Sequence, residues 1–186
     1  MRTWACEAGT FSGYETECCF HVRGIRYATS KRFEAPVPYS YEPGVHECIE
    51  TSPFAVQLDS GLENNLMGIT YGSMKQEESC QYLSITIPKT EPKHLRTVMV
   101  WFHGGGFHHG GCDSEAYDYE LLTAEQDVIL VGVNYRLGML GFGKTSEGRY
   151  SNNGLKDAIE SLRWIKANIA SFGGDPDRVT LFGQSA

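Results

Sequence analysis

The segment VTLFGQSA, residues 179–186, places a serine directly after a short run of strand-forming residues. The tetrapeptide GQSA supplies the first four positions of G-x-S-x-G, and the fifth position lies beyond Ala186. At the end of a buried strand, this motif forms a tight turn into a helix and exposes a nucleophilic serine above the sheet. An ordinary strand-end turn is the alternative, because so short a motif is weakly specific by itself. Ser185 is therefore a candidate nucleophile that needs support from the rest of the chain.

Apolar runs of strand length predict the interior of a parallel sheet, because strands covered on both faces are apolar throughout. They are residues 97–102 (TVMVWF), 128–133 (VILVGV) and 179–182 (VTLF). Helical patterns lie between them, a modest one at 116–126 and a clear one at 154–171. The clear pattern has an apolar stripe made of Leu155, Ala158, Ile159, Leu162, Ile165 and Ile169. Strands that alternate with helices predict an α/β fold with a doubly wound sheet.

The glycine run HGGGF, residues 103–107, directly follows the first of these predicted strands. Three consecutive glycines cost much conformational entropy, and their usual use is a backbone that approaches another group closely. In an acyl-transfer enzyme that group is the oxyanion, and backbone N–H groups are its hydrogen-bond donors. A glycine-rich surface turn is the alternative. The glycine run and the GQSA turn occur together, each after a predicted strand, and this combination favours an enzyme.

Other parts of the chain carry weaker patterns. Residues 82–87, YLSITI, alternate apolar and polar side chains, which predicts a half-buried strand. Residues 1–60 look irregular, with short strand-like pieces and many turn residues. The chain has no internal repeat or linker, and its 186 residues suffice for one domain with a sizeable core.

Composition and charge argue against several classes of protein. The formal net charge of -7 argues against nucleic acid or an anionic membrane as a partner. No apolar stretch reaches the length of a transmembrane helix, so no membrane span is expected. Residues 1–10 lack the apolar run of a secretory signal. The six cysteines are therefore expected to be reduced thiols, and the protein to be cytoplasmic.

A cluster of possible metal ligands raises a third reading of the glycine-rich region. It consists of His103, His108, His109 and Cys112. Their spacing fits no common zinc pattern, and the intervening glycines have a better use in a loop that binds an oxyanion. Neither a metal nor an organic cofactor is expected.

Taken together, the motifs resemble those of the type-B carboxylesterase/lipase family, which includes carboxylesterases, cholinesterases and bacterial para-nitrobenzyl esterases. The segments that carry the resemblance are RGIRYA, CQYLSITIP, VMVWFHGGGFHHG, DVILVGVNYRLGMLGF and NNGLKDAIESLRWIKANIASFGGDPDRVTLFGQSA. The resemblance implies an α/β-hydrolase fold, with a central, mostly parallel sheet and flanking helices. It also implies that residues 1–186 are the N-terminal portion of a single domain, truncated at the nucleophile turn.

The same resemblance implies roles for individual residues. Ser185 matches the family's nucleophile. The other matched positions are the oxyanion-hole residues Gly105, Gly106 and Ala186, and two structural ion pairs, Arg136 with Asp175 and Arg32 with Glu78. Three departures stand beside these matches. Gln184 replaces the family's glutamate, Ala55-Val56-Gln57 offers Cys80 no disulfide partner, and no tryptophan lies between residues 55 and 80, so choline esters are not expected.

These patterns predict a serine hydrolase that cleaves small-molecule carboxylic esters through an acyl-enzyme on Ser185. In this fold the catalytic acid and histidine follow the serine, whereas all six histidines here precede it. The 186-residue chain by itself is therefore expected to be inactive. The alternative is a non-catalytic relative that acts in protein–protein contacts. Such a protein is expected to lose the serine or the glycine run, and both are present. The oligomeric state is left open.

Overall fold

The structural elements are arranged around one central β-sheet. The computed structural model describes residues 1–59, 61, 70–144, 148 and 151–186. Its strands are β1 Arg2–Cys6, β2 Gly9–Glu15, β3 Cys19–Arg26, β4 Ala28–Thr29, β5 Val37–Pro38, β6 Val45–Glu47, β7 Phe54–Ala55, β8 Gln76–Glu77, β9 Tyr82–Pro88, β10 Arg96–Phe102, β11 Ile129–Val133 and β12 Gly174–Gly183. Its helices are α1 Glu120–Gln126, α2 Gly138–Phe142 and α3 Asn153–Asn168, with 3-10 turns at Tyr71–Ser73 and Ile169–Phe172.

Within the described residues the central sheet has eight strands, in the order β1-β2-β3-β9-β11-β10-β12, with β6 beside β2. Strands β10, β11 and β12 are parallel to one another. Strands β1, β2, β3 and β9 continue the sheet from β11 by antiparallel pairing. The parallel arrangement predicted from the three apolar runs is thus confirmed, and an antiparallel part extends it on one side.

The two central runs differ in burial: in β10 Val98 and Val100 are buried and alternate with partly exposed residues, whereas β11 is covered on both faces. Every residue of β11 is buried. One face belongs to a continuous apolar core of strand, helix and 3-10-turn residues, which includes Val98, Val100, Val131, Trp164, Ile165, Ile169 and Phe172. The third run, in β12, has the predicted direction but is not buried, since Leu181 is 53% exposed. Among the described residues β12 pairs only with β10, which explains its exposure.

The helix predicted at 154–171 is α3, followed by the 3-10 turn Ile169–Phe172. Its apolar stripe divides between two environments. Ile165 and Ile169 are buried in the core, whereas Leu155 and Ile159 are 56% and 42% exposed. The first half of α3 instead turns Asp157 inward, where its carboxylate meets an arginine. None of the helices that the structure describes has the length and apolar character needed to cross a bilayer.

The prediction of a half-buried strand at 82–87 is wrong. In β9 the polar residues Ser84 and Thr86 are as buried as their apolar neighbours, because helix α1 packs against this central strand. Partners from distant segments compensate this burial: Ser84 donates a hydrogen bond to Asp113 (2.8 Å), and Thr86 lies 3.4 Å from His21 Nδ1. Hydrogen-bonded hydroxyl groups can be buried at little cost, so alternation did not mark an exposed face here.

Residues 1–60 are more regular than the sequence suggests. They contribute β1, β2, β3 and β6 to the central sheet. Strands β1, β2 and β3 each bury only one or a few large side chains, such as Trp4 in β1 and Phe11 in β2, and β6 buries none. Trp4 stacks on Phe172 with ring centroids 6.0 Å apart, which joins this N-terminal part to the end of α3.

Arg136 pairs with Asp157 of α3, and the predicted pair with Asp175 is wrong. The guanidinium donates two hydrogen bonds to the Asp157 carboxylate, at 2.8 and 2.7 Å, and the Arg136 N–H donates a third at 3.0 Å. The side chains are 2% and 0% exposed. Asp175 lies at the start of β12 and accepts a hydrogen bond from the N–H of Asp177. The carboxylate of α3 reaches the arginine just after β11, so it takes the place expected for Asp175.

The second predicted ion pair is present at the surface. Arg32 donates hydrogen bonds from Nε and Nη2 to both carboxylate oxygens of Glu78. Both side chains are largely exposed, so this pair contributes little to stability compared with the buried one.

Asp157→Asn should lower the free energy of unfolding by about 3–5 kcal/mol, because it leaves the buried Arg136 charge without a counter-charge. Asp175→Asn is the matched control and should change that free energy by less than about 1 kcal/mol. Urea denaturation followed by circular dichroism measures both variants. Equal losses in the two variants would contradict the assignment of Asp157 as the partner.

Candidate active site

Ser185 lies in a sharp turn immediately after β12. The strand ends at Gly183, which is in register with Phe102 at the end of the neighbouring strand β10. The backbone of Ser185 has φ 62°, in the left-handed region that residues other than glycine seldom adopt. Such strain concentrates at functional sites, and a strained turn at a strand end is the geometry that exposes a nucleophilic serine. The Ser185 side chain is exposed.

The glycine run leaves β10 at the same edge of the sheet and contacts this turn directly. Since β10 and β12 are parallel neighbours, their carboxyl ends lie side by side. A Cβ atom at Gly104 would collide with the carbonyl oxygen of Gln184 and would lie 3.2 Å from Cβ of Ser185. The N–H of Phe107 donates a hydrogen bond to the carbonyl oxygen of Ala186 at 3.2 Å. The two motifs, far apart in sequence, therefore meet in space.

We call residues 103–110 the glycine loop. Gly105 and Gly106 have φ 116° and 62°, values that favour glycine. The carbonyl oxygen of Gly105 accepts hydrogen bonds from the N–H groups of His108 and His109, which closes the loop on itself. Within the described part of the chain, the N–H groups of Gly105, Gly106 and Ala186 donate no hydrogen bond. Two of these donors directly follow Gly104, the loop residue that contacts the Ser185 turn, and the third directly follows Ser185.

His103 anchors the start of the glycine loop. Its ring is buried and stacks on Tyr135 with centroids 4.7 Å apart, and Nδ1 lies 2.9 Å from the carbonyl oxygen of Gly104. The Tyr135 hydroxyl donates a hydrogen bond to the carbonyl oxygen of His103 at 2.7 Å. Burial lowers the pKa of His103 to about 4, so the imidazole is neutral at pH 7 and can donate from Nδ1 to Gly104. His103 therefore holds the loop.

The possible metal ligands of this region lie in separate environments. Cys112 is fully buried, and Nδ1 of His109 hydrogen-bonds the carbonyl oxygen of Leu58 at 3.1 Å. Nδ1 of His103 hydrogen-bonds the carbonyl oxygen of Gly104. Across the residues that the structure describes, no group of three or more His, Cys, Asp and Glu side chains has the arrangement to hold a metal ion.

Aromatic side chains surround Ser185 and were not singled out in the sequence. A cavity of about 360 Å³ beside the serine is lined by Phe102, Phe107, Tyr135, Leu181 and Phe182, together with the turn itself. Tyr135 is the informative member of this set, because it follows β11 closely, at the edge of the sheet where the serine lies. Its position just after a buried parallel strand could have marked it in the sequence, because the carboxyl ends of such strands face the ligand site in α/β folds.

The chain matches the family model described as "Carboxylesterase family" over residues 8–186. It is 38% identical over 172 residues to the para-nitrobenzyl esterase of Bacillus subtilis, covering 88% of this chain and 34% of that protein. It is 39% identical over 189 residues to the probable N-octanoylanthranilate hydrolase AqdA2 of Rhodococcus erythropolis, covering 100% of this chain and 41% of that protein.

Solved structures agree with these sequence relatives. A thermophilic PNB esterase superposes with a TM-score of 0.87 at 34% identity, covering 99% of this chain and 38% of that one. The chain thus spans between 34% and 41% of the length of these three proteins. The α/β-hydrolase fold predicted from the sequence is confirmed.

The stability of the protein should fall on acidification because of His103. The unfolded histidine, with a pKa near 6.5, binds a proton that the folded one, with a pKa of about 4, does not bind. The contribution of neutral His103 to the free energy of unfolding is complete above pH 6.5 and is lost as the pH falls toward 4. It corresponds to about 2 kcal/mol between pH 7 and pH 5. Urea unfolding at both pH values measures it.

His103→Asn should flatten this dependence, because the asparagine does not titrate. The wild-type protein, unfolded in urea at the same two pH values, is the control. An identical pH dependence in wild type and His103→Asn would refute the neutral, buried histidine.

Proposed function

Because this chain belongs to the carboxylesterase family, we propose that it is the N-terminal portion of the single catalytic domain of a serine carboxylic-ester hydrolase. One observation carries the proposal: the strained turn at Ser185 lies against a glycine loop whose backbone donors have no partner among the described residues. A nucleophile beside preorganised N–H groups is the arrangement that acyl transfer requires.

In the proposed mechanism, Ser185 Oγ attacks the carbonyl carbon of the ester while a general base takes the hydroxyl proton. The carbonyl oxygen becomes an oxyanion and accepts hydrogen bonds from the N–H groups of Gly105, Gly106 and Ala186. Collapse of this intermediate expels the alcohol, which receives the proton. Water then attacks the acyl-enzyme, releases the carboxylic acid and restores the serine. Loss of one such donor typically raises the barrier by about 3 kcal/mol.

The general base and its acidic partner are proposed to come from outside residues 1–186. Every histidine of this segment precedes Ser185, the reverse of the order that this fold uses. His103 lines the same cavity as Ser185, but its ring is buried and contacts the Gly104 carbonyl oxygen. Beside the serine, Gln184 contributes a neutral amide, so this position adds no negative charge to the site.

The proposed substrate is a small-molecule ester with an apolar group. The walls of the cavity next to Ser185 are mainly aromatic and aliphatic, and they include Phe102, Phe107 and Tyr135. Apolar pockets with a few convergent polar groups are typical of small-molecule sites. Here the convergent groups are the serine hydroxyl and the backbone donors.

We also propose a cytoplasmic location, on the state of the cysteines. All six are free thiols in the structure, and four of them are buried. Cys80 packs in one apolar cluster with Ala55, the segment where the resemblance places its disulfide partner. Apolar packing therefore surrounds Cys80 at the position where the resemblance implies a disulfide for the family.

Thiol titration tests this proposal. The denatured but unreduced protein should show about one reactive thiol for every cysteine in residues 1–186, because no pair is oxidised. Reaction with a chromogenic disulfide in guanidinium gives the count, and the same protein after reduction is the control. A clear deficit before reduction would contradict the proposed location.

Ser185 should be the residue that a fluorophosphonate labels. The reagent mimics the acyl transition state, so it reacts with the activated serine and not with ordinary hydroxyl groups. The full-length gene product would be labelled and the adduct located by peptide mass spectrometry.

Ser185→Ala should abolish both labelling and hydrolysis of a nitrophenyl ester. The exposed Ser171 supplies the matched control, and Ser171→Ala should leave both unchanged. Labelling at another residue, or none at all, would remove the catalytic role of Ser185 and favour a protein that acts through binding only.

A further inference from the structure

Gln57 makes a closed pair of hydrogen bonds with the last residue of the glycine loop. Its Nε2 donates to the carbonyl oxygen of Gly110 at 2.9 Å, and the Gly110 N–H donates to its Oε1 at 2.8 Å. The second hydrogen of Nε2 is directed to the carbonyl oxygen of Ala55 at 3.0 Å. The side chain is only 9% exposed. The amide thus uses its oxygen and both of its hydrogens in a buried setting.

The backbone of Gln57 belongs to a separate part of the fold. It follows β7, which pairs with β8 in a small two-stranded sheet. Its N–H donates to Oε1 of Gln76, at the start of β8, at 2.9 Å. Gln57 and Gly110 are 53 residues apart in the chain. The amide therefore ties the glycine loop to a support outside the central sheet.

Gly110 in turn determines where the start of the glycine loop lies. Its φ is 105°, and a Cβ atom there would collide with Nδ1 of His103 and would lie 2.6 Å from the carbonyl oxygen of Gly104. Gly104 has no room for a Cβ against Gln184 and Ser185. A continuous series of contacts thus connects the Gln57 side chain, through Gly110 and Gly104, to the nucleophile turn.

We propose that Gln57 is a positioning residue for the oxyanion hole. This inference rests on the proposed function. Gln57 touches neither Ser185 nor the space for a substrate. Its amide holds Gly110 against His103 and Gly104, and so sets the distance between the donors at Gly105 and Gly106 and the developing oxyanion. A displacement of about 1 Å in such donors can cost on the order of a hundredfold in rate.

Gln57→Glu tests the proposal, because it keeps the shape of the side chain and replaces the NH2 group, which donates to Gly110 and Ala55, by a carboxylate oxygen. The ionised carboxylate can accept from the Gly110 N–H but turns a negative oxygen toward the carbonyl groups of Gly110 and Ala55. For a nitrophenyl ester and the full-length gene product, kcat and kcat/KM should both fall roughly ten- to a hundredfold at pH 8. KM should stay unchanged, since the oxyanion exists only in the transition state.

The pH profile of this variant separates positioning from general damage to the fold. Once protonated, the introduced carboxyl group can donate to the Gly110 carbonyl and accept from the Gly110 N–H, as the amide does. Burial among carbonyl oxygens raises the pKa of this carboxyl group, so the proton is taken up at accessible pH. The ratio of kcat in Gln57→Glu to kcat in wild type should therefore rise toward one as the pH falls. The nearby titratable groups His103 and His109 are common to both proteins and cancel in the ratio.

Two further variants complete the experiment. Gln57→Met keeps the volume but removes every hydrogen bond, so its kcat should be low with no recovery at low pH. Asn168→Asp is the matched control: Asn168 is a buried amide that bonds Ala8 and Trp164 far from the glycine loop. It should lose stability in urea with no change in the kcat ratio across pH.

The outcomes distinguish failure of the positioning role of Gln57 from failure of the proposed ester hydrolysis. An active wild-type protein whose Gln57→Glu and Gln57→Met variants keep full kcat at pH 8 would overturn the positioning role alone. So would losses that match those of Asn168→Asp and follow stability only. A wild-type protein with no Ser185-dependent hydrolysis would overturn the proposed function, and the role of Gln57 with it. If Gln57→Glu fails to fold at pH 8, the kcat of Gln57→Met decides.

Discussion

The site depends on one close approach between two pieces of backbone. Gly104 lies so near Gln184 and Ser185 that the space between them cannot hold a single methyl group. This contact exists because β10 and β12 are parallel neighbours whose ends are in register, Phe102 opposite Gly183. A residue with a side chain at Gly104 would force the glycine loop and the Ser185 turn apart. The glycine run is thus a consequence of strand pairing as much as of chemistry.

Much of the fold follows from the sequence where one physical rule acts alone. Continuous apolar runs at 97–102 and 128–133 predicted strands, because burial on both faces leaves no place for polar side chains. The long helix followed from periodicity. Prediction failed where a partner distant in sequence allows a polar residue to be buried. Ser84 looks exposed until Asp113 accepts its hydrogen bond, and Asp157 looks like one more surface carboxylate until it meets Arg136.

The candidate site shows the same division. Ser185 and the glycine run could be singled out from the sequence because the proposed chemistry needs particular residue types in a fixed local pattern. Tyr135 and Gln57 were not, since each acts through a contact between segments far apart in the chain. The choice between Asp157 and Asp175 as the partner of Arg136 is a matter of which carboxylate the folded backbone brings near. No local pattern contains that information.

The position of β10 between β11 and β12 has a consequence for biosynthesis. A ribosome makes β10 and the glycine loop well before β12 and the residues that the loop touches. Until β12 emerges, the glycine loop lacks its contacts with Gln184 and Ser185, and one side of β10 has no paired strand. The contact between the glycine loop and the turn at Ser185 can therefore form only after β12 has been translated. Because glycine has wide conformational freedom, the loop can stay unstructured during that interval.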